Sequence, residues 1–215
     1  MSTTETLVVQ QGERGLRALL QRALALQDDA YARFQRVGEH DVDVFVTTPF
    51  DCVASRRVRG TVSRDGAVVP ALRVLDALGT VSGEPGELGV AQDQNWPGAL
   101  PPAQGFTLRE EVPIATARQL ADEGRNLARQ FAGPLGPPVS LLDGVVITIE
   151  ADERGPKLEI PMRAVFTCTS LGLIPGFEAP VEVPRYLRIS SAGRWVRIDA
   201  PFGTVYHSKS LSLFV

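Results

Sequence analysis

The chain has 215 residues, of which 44% are hydrophobic and 22% are charged, and its formal net charge at pH 7 is −3. This length and composition are those of an ordinary globular protein with one large domain or two small ones. The negative net charge argues against bulk electrostatic capture of nucleic acid or of an acidic membrane surface.

The chain lacks targeting and redox signals. Its first residues have no basic region followed by an apolar one, and no apolar run is long enough to cross a bilayer. Cys52 and Cys168 are far apart and have no histidine close by in the sequence, which predicts two buried thiols rather than a disulfide or a metal site. We therefore expect a cytoplasmic protein without a metal or cofactor.

The first part of the chain predicts a long helix followed by antiparallel strands. Apolar residues at steps of three and four predict a helix over Glu13–Val37. Alternating valines predict a strand over Asp41–Val46, and a second strand follows over Cys52–Val62. Pro70 suits the first turn of a short helix.

A segment rich in glycine and proline divides the chain. Nine of the residues from 80 to 112 are Gly or Pro, and no apolar period runs through them. We predict a connection between an N-terminal lobe, residues 1–79, and a C-terminal lobe, residues 113–215. Large apolar side chains are rarely left in water, so Trp96 and Leu100 predict that this connection docks. Trp96 then either plugs the groove between the lobes or forms part of a lid over a ligand cleft.

The second part begins with another helix, from Pro113 to Gly133-Pro134. Pro161–Leu173 is ambiguous, because its composition favours a strand and its apolar spacing favours a helix; we predict a helix. The strands predicted in this part are Val145–Glu150, Lys157–Ile160, Pro184–Ile189, Gly193–Ala200, Gly203–Ser208 and Leu211–Phe214.

Two stretches share a layout. VFVTTPFDCVASRR from Val44 to Arg57 and WVRIDAPFGTVYHSK from Trp195 to Lys209 each contain a β-run, a Pro-Phe turn and a second β-run. The expected fold class is therefore α+β: two helix-plus-antiparallel-hairpin lobes with an internal pseudo-repeat, bridged by the Gly/Pro-rich segment.

The chain also carries, in order, the motifs TPFDCVASRRVRG, NWPGALPP, SLLD at Ser140–Asp143, IPMR at Ile160–Arg163, LGLIP and GRWVRIDAPFGTVY. This set resembles conserved hypothetical proteins of high-GC Gram-positive bacteria, from about Arg22 to the C-terminus. That family has no assigned activity and no catalytic residues, so the resemblance implies a shared fold and no particular chemistry.

The sequence contains no recognisable catalytic set. His207 and Ser208 are neighbours on a predicted strand, so their side chains point to opposite faces. Cys52 follows a turn, but the sequence does not locate a histidine to activate it. Patterns for a phosphate loop, a zinc protease or a nucleophile elbow are absent. The sequence favours a non-catalytic protein over an enzyme.

The best candidate surface is the C-terminal hairpin. A turn at Ser190–Gly193 predicts that Arg188 and Trp195 are cross-strand neighbours within cation–π distance. Such an aromatic and basic ribbon could stack bases or hold an anion, or a helix could cover it with the arginine stems along the rings. The candidate ligand-binding residues are Tyr186, Arg188, Trp195, Arg197 and Trp96.

The expected function is a non-catalytic binding or protein-interaction module whose partner is a second copy or another protein. One alternative is nucleic-acid binding through a winged-helix-like C-terminal half, with Pro161–Leu173 as the recognition helix and Tyr186–Arg197 as the wing. Arg163 is the only basic residue of that helix, so nucleic acid is disfavoured as a partner. The other alternative is an enzyme with a cleft under Trp96.

Overall fold

The computed structural model describes residues 3–78, 83–131, 139–176, 179–180 and 182–208. It divides into two compact units. Unit 1 comprises Met1–Pro49 and Val53–Ala99, and unit 2 comprises Phe50–Cys52 and Leu100–Val215. The predicted strand at Leu211–Phe214 and the predicted helix end at Gly133-Pro134 lie outside the described residues.

The described residues of unit 1 form an antiparallel sheet with two α-helices. Its strands, in chain order, are β1 Thr4–Gln11, β2 Tyr31–Val37, β3 Asp41–Thr47, β4 Val53–Val62, β5 Val68–Pro70 and β6 Gly86–Val90; its helices are α1 Glu13–Leu26 and α2 Ala71–Ala77. Within the unit the strands follow the spatial order β5-β2-β3-β4-β1-β6. The core side of α1 contains Leu16, Leu19, Leu20 and Ala23, all buried.

The prediction of one helix over Glu13–Val37 is wrong beyond Leu26. The chain turns at Gln27–Ala30 and continues as β2, in which buried Ala32 and Phe34 alternate with more exposed neighbours. A spacing of four residues is even, so Ala30 and Phe34 fit the period of a strand as well as that of a helix. The apolar stripe alone could not separate the two structures.

Unit 2 combines a four-stranded sheet, a two-stranded sheet and three helices among its described residues. Its elements are β7 Thr107–Pro113, α3 Ile114–Phe131, α4 Val139–Asp143, β8 Val145–Ile149, β9 Leu158–Pro161, α5 Met162–Ser170, β10 Tyr186–Ala192, β11 Trp195–Ala200 and β12 Gly203–Ser208. The larger sheet has the order β7-β10-β11-β12, and β8 pairs with β9. The helix expected over Pro161–Leu173 is confirmed as α5.

The Gly/Pro-rich residues 80–112 are more regular than their composition predicts. Those described up to Ala99 belong to unit 1 and contain β6, whereas those from Leu100 onward belong to unit 2 and contain most of β7. Both strands have a partner from a distant part of the chain: β6 pairs with β1, and β7 pairs with β10. Long-range pairing, which composition does not report, orders these residues.

Three strands run directly into helices through a proline. Pro70 precedes α2, Pro113 precedes α3 and Pro161 precedes α5, each after Val or Ile. In all three junctions the first helical N–H donates to the carbonyl just before the partner strand: Ala71 to Ala30 (2.8 Å), Ile114 to Arg185 (2.9 Å) and Met162 to Gly144 (2.8 Å). Proline suits such a junction because its fixed φ fits the first turn and it lacks an N–H.

These junctions reveal an exchange of strands within each unit. In unit 1, β1 and β2 flank α1, whereas β5 and β6 flank α2. β5 pairs with β2, and β6 pairs with β1, so each helix has strands that pair with the strands of the other. In unit 2 the strand before α3 pairs with the strand after α5, while the strand before α5 pairs with β8, which follows α3 and α4. Each unit is therefore built from two related halves.

The repeat was predicted as a helix plus an antiparallel hairpin, and the structure shows a larger unit used twice: a strand, a helix and an antiparallel meander. One copy is β1-α1-β2-β3-β4 and the other is β9-α5-β10-β11-β12. Phe50 and Phe202 follow β3 and β11, in equivalent connections, and both are half-buried rather than fully buried. The expected α+β class is confirmed, and the repeated layout is consistent with the predicted pseudo-repeat. None of the helices in the described ranges has the length and apolar character needed to span a membrane.

Candidate functional site

Unit 2 contains a polar cavity of about 540 Å³. Its lining comes from the connection after β3, the end of α4, the β8–β9 pair, α5 and the end of β12. The lining residues are Asp51, Asp143, Val145, Glu159, Pro161, Arg163, His207 and Ser208. Three carboxylates, one guanidinium and one imidazole therefore face a common space.

Arg163 is the centre of this cavity. Its residue is 6% exposed, and its guanidinium donates to Asp51 Oδ2 (2.6 Å), to Asp143 Oδ1 (2.5 Å) and to the carbonyl oxygen of Phe50 (3.0 Å). A buried cation needs such paired acceptors because desolvation of the charge is costly. Burial tends to lower the pKa of Arg163, but the two carboxylates outweigh it and raise the pKa.

Asp51 reaches Arg163 from an unusual backbone conformation. Its φ is 52°, in the left-handed region that Asp tolerates better than most residues. The turn directs its carboxylate to the guanidinium while most of the side chain remains in solvent, 87% exposed. Asp143 is likewise open to solvent at 59%. Each carboxylate keeps an oxygen that these bonds to Arg163 do not use, which leaves acceptors available to a ligand.

Cys52 and His207 lie side by side next to this cluster. The Cys52 Sγ atom is 3.9 Å from His207 Nδ1, although the two residues are 155 positions apart. Burial raises the pKa of the Cys52 thiol to about 12. Burial and then the charge of Arg163 lower the pKa of His207. At neutral pH the pair is therefore a thiol beside an uncharged imidazole, not the thiolate that nucleophilic catalysis needs.

The cavity is suited to recognition. Its rim presents carboxylate oxygens, and its one buried cation is already hydrogen-bonded. Such a lining favours ligands that donate hydrogen bonds or carry positive charge. No group of three or more His, Cys, Asp or Glu side chains in the described part of the chain is arranged to hold a metal ion.

The sequence alone does not reveal this cluster, although its residues lie in motifs that carry the family resemblance. Asp51 lies in TPFDC, Asp143 ends SLLD and Arg163 ends IPMR, three of the motifs on which the family resemblance rests. In the sequence, Arg163 stands out only as the single basic residue that a recognition helix would offer to phosphate. A charged residue within each motif was the available signal, but the convergence of these residues depends on the tertiary fold.

The C-terminal ribbon has the predicted faces and a different register. As predicted, Tyr186 and Arg188 of β10 lie on the same face of the hairpin as Trp195 and Arg197 of β11. The cross-strand partners differ from the prediction: Arg188 is opposite Asp199, and Trp195 is opposite Ala192. The predicted neighbourhood of Arg188 and Trp195 is therefore wrong. β10 continues to Ala192, and the turn is formed by Gly193, whose φ is 55°, with Arg194. Ser190, Ser191 and Ala192, which were predicted to lie in the turn, belong to β10.

The aromatic and basic side chains of the ribbon have other partners. The Arg194 guanidinium lies 5.7 Å from the ring centroid of Trp195, and that of Arg197 lies 4.8 Å from Phe106. Arg197 also pairs with Asp199 at 2.8 Å, and Arg188 lies 3.5 Å from Glu111. The carboxylates reduce the basic character of this face, whereas Tyr186 remains 43% exposed.

Trp96 lies away from these side chains in sequence and belongs to unit 1. It is 7% exposed, and the Arg33 guanidinium lies 5.8 Å from its ring centroid. Its indole Nε1 and Arg33 Nε are both buried without a hydrogen-bond partner. Trp96 is therefore a packed side chain, and the guanidinium of Arg33 occupies the position over its ring where a ligand cleft was predicted.

The predicted recognition helix cannot enter a nucleic-acid groove as it stands. Residues Met162 through Cys168 of α5 are all buried, including Arg163. Phe166 and Val165 pack with Met162 and Ala121 in an apolar cluster. The winged-helix assignment is therefore wrong, because the helix is a core element and its one cation is hydrogen-bonded to the cavity carboxylates.

Comparison with solved structures identifies a known fold. The chain is similar to the DNA polymerase sliding clamp of Caulobacter crescentus (10% identity, TM-score 0.56, 99% of this chain and 67% of that one). It is also similar to the sliding clamps of Pseudomonas aeruginosa (11%, 0.57, 99% and 66%) and Bartonella birtlesii (13%, 0.53, 99% and 66%). The chain thus spans about two thirds of the length of these clamps, and the likeness concerns the fold.

Two family models divide the chain close to the boundary between the units. The model described as domain of unknown function DUF8010 matches residues 2–98, and the model described as domain of unknown function DUF8185 matches residues 101–212. No curated protein matches the chain. Because the second model covers more than half of its residues, the chain belongs to the DUF8185 family of domains of unknown function.

Proposed function

We propose that this chain is a non-catalytic, self-associating protein-interaction module of the cytoplasm, built on a clamp-like fold. The observation that carries the proposal is the likeness to DNA polymerase sliding clamps over 99% of the chain. A fold does not by itself assign a function, so the proposal also depends on the chemistry of the polar sites that this chain carries.

The chemistry of the described polar sites supports a binding role. The thiol beside His207 is held protonated by burial, and the guanidinium of Arg163 is already bonded to two carboxylates. Neither group is poised as a nucleophile or as a general acid–base pair. We assign partner binding to the cavity around Arg163 and to the ribbon face of Tyr186, Arg188, Trp195 and Arg197.

A DNA-associated role is the second candidate, since the similar structures are DNA polymerase clamps. The negative net charge of the chain disfavours direct contact with phosphate. We therefore propose contact with proteins, and expect nucleic acid to be a poor ligand. An enzyme with a cleft under Trp96 is disfavoured because Arg33 lies over that ring.

Sedimentation velocity of the purified chain tests self-association. Over a roughly hundredfold range of concentration the weight-average sedimentation coefficient is expected to rise, as mass action requires of a reversible oligomer. A coefficient that stays at the monomer value throughout would overturn the self-association.

Partner binding is tested in a capture experiment that uses two baits, the unmodified chain and the double variant Arg188→Ala/Arg197→Ala. Any captured protein is then purified and titrated against both. Loss of affinity in the ribbon variant, with an unchanged melting temperature, supports the ribbon as the contact. Equal affinity for both baits would remove it.

A further inference from the structure

One wall of the cavity is formed by a separate hairpin. Residues 145–161, which we call the cavity hairpin, contain β8, a turn and β9, and they contribute Val145, Glu159 and Pro161 to the lining. Within the described part of the chain, β8 and β9 form a sheet of two strands. Because a two-stranded sheet is marginal by itself, the position of this wall depends on contacts with other elements.

The turn of the cavity hairpin is bound by Arg109 of β7, whose side chain is fully buried at 0% exposure. Its Nη2 atom donates to the carbonyl oxygens of Gly155 (3.0 Å) and Pro156 (2.9 Å). The same atom lies 3.4 Å from Asp152 Oδ1. The Nη1 atom donates to the hydroxyl of Ser191 in β10, also at 3.4 Å. One guanidinium therefore joins the larger sheet of unit 2 to the turn.

The turn has a shape that admits this guanidinium. A Cβ atom on Gly155 would lie only 2.6 Å from Arg109 Nη1, so the close approach requires glycine. The backbones of Asp152 and Gly155 exchange two hydrogen bonds, at 3.0 and 3.1 Å. The Asp152 carboxylate also accepts from the backbone and the side chain of Arg154, at 3.0 and 2.7 Å. These bonds fix the turn, whose carbonyl oxygens then accept from Arg109.

We infer that Arg109 is a positioning residue of the cavity: from β7 it fixes the turn of the cavity hairpin, and thereby the wall that carries Glu159. Arg163 holds another part of the lining, through Asp51 and Asp143. An apolar side chain in place of a buried cation is often no less stable, but it lacks directed hydrogen bonds. The role of Arg109 is therefore the placement of the wall. The inference rests on the proposed binding role of the cavity and gives that site a residue outside its lining.

Hydrogen exchange of Arg109→Met tests whether the guanidinium holds the hairpin, since methionine keeps an unbranched side chain and removes the donors. Amides of residues 145–149 and 158–160 are expected to exchange at least about tenfold faster than in the unmodified chain, because the hairpin opens locally more often. Amides of residues 195–208 are expected to be unchanged. Arg125→Met is the matched control: it removes a guanidinium from a surface ion pair and should change neither region.

Gly155→Ala tests the same contact from the hairpin side. It leaves β7 unchanged, and its methyl group displaces the turn from the guanidinium. The same faster exchange is expected. Gly105→Ala is the control, because Gly105 also has a positive φ, 87°, and nothing lies within 4 Å of a Cβ built there. This second variant decides the test if Arg109→Met does not fold.

The imidazole of His207 reports on the cavity itself. It faces the thiol and the charged groups of this region: Cys52, Asp51, Asp143, Glu159 and Arg163. Burial keeps the pKa of His207 below its ordinary value of 6.5, and a displaced wall admits water, which moves that pKa toward 6.5. NMR titration of the imidazole is therefore expected to give a higher pKa in Arg109→Met and Gly155→Ala than in the unmodified chain, and no change in the two controls.

Two results would overturn the inference. If the hairpin amides of both variants exchange as in the unmodified chain, or if exchange rises equally throughout unit 2, Arg109 does not position the wall. If the hairpin loosens while the pKa of His207 stays the same, the wall does not control the cavity. Self-association is measured by sedimentation of the unmodified chain, so either result would leave the proposed function standing.

Discussion

Arg163 is bonded to two carboxylates that are themselves largely in water. Asp51→Asn or Asp143→Asn alone is expected to cost less than about 1 kcal/mol, because the guanidinium keeps one charged partner. The double change leaves a buried cation without one, and should exceed the sum of the single changes by at least about 1 kcal/mol. Urea unfolding of the four proteins measures this coupling.

The control for that cycle is Asp122→Asn, which breaks a surface pair with Arg125. Combined with Asp143→Asn it should be additive, since the two sites share no partner. Additive costs for Asp51 and Asp143 as well would show that the guanidinium does not depend on both carboxylates.

His207 gives the fold a dependence on pH. Burial lowers its pKa below the ordinary value of 6.5, so as the pH falls the unfolded chain binds a proton before the folded chain does. The lowered pKa of His207 therefore does not reduce the free energy of unfolding above pH 6.5, and it reduces that free energy as the pH falls below 6.5. When the pH is lowered from about 7.5 to about 5, His207→Gln is expected to lose less of its free energy of unfolding than the unmodified chain.

Urea midpoints at the two pH values measure this difference. His40→Gln serves as the control because His40 lies in an exposed turn, with 66% of its side chain accessible. An equal pH dependence of His207→Gln and the unmodified chain would show that His207 contributes nothing to acid sensitivity.

At the scale of elements, β1 and β4 approach so closely that one position admits only glycine. A Cβ atom on Gly60 would lie 1.9 Å from the carbonyl oxygen of Val8. The obstacle is backbone, so no rotamer change relieves it. Gly60→Ala is expected to cost at least about 2 kcal/mol of unfolding free energy.

Gly176→Ala is the matched change, since nothing lies within 4 Å of a Cβ built there. It is expected to be nearly neutral. Thermal and urea unfolding compare the two variants, and a Gly60→Ala protein as stable as Gly176→Ala would mean that β1 and β4 can separate without cost.

In the hairpin β10–β11, the face on which each side chain lies depends on nearby residues, whereas the register between the strands does not. Alternation along each strand correctly predicted the face of Tyr186, Arg188, Trp195 and Arg197. The register was wrong because Ser190, Ser191 and Ala192 have weak strand propensity, and their pairing with β7 and β11 compensates for it.

At the scale of the whole molecule, the chain is expected not to bind nucleic acid at physiological salt. The net charge is −3, and Arg188 and Arg197 of the ribbon lie beside Glu111 and Asp199. A binding face must neutralise phosphates with cations that are not already paired. Fluorescence anisotropy with single- and double-stranded DNA and with RNA, at several salt concentrations, is expected to show no saturable binding.

A reproducible, salt-sensitive binding curve at micromolar protein would contradict this expectation. Arg188→Ala/Arg197→Ala would then locate the contact. Loss of binding in that variant would assign it to the ribbon, and unchanged binding would direct attention to the exposed arginines of α1 and α3.

The sequence by itself determined the α+β class, the Pro-Phe repeat and the alternating faces of the C-terminal hairpin, and its apolar spacing favoured the helix that forms as α5. These features depend on residues close in the chain, whose periodicity and propensities act locally. The prolines at Pro70, Pro113 and Pro161 also marked the strand-to-helix junctions, although their common pattern becomes clear only with the fold in view.

Only the tertiary structure decided the end of α1, the strands inside the Gly/Pro-rich segment and the cavity around Arg163. Arg163 meets Asp51 across 112 positions, and Cys52 meets His207 across 155. These contacts form because the short connection Phe50–Cys52 belongs to unit 2, although the strands on either side of it belong to unit 1. Periodicity in the chain carries no information about such long-range contacts, since the same pattern is compatible with many pairings.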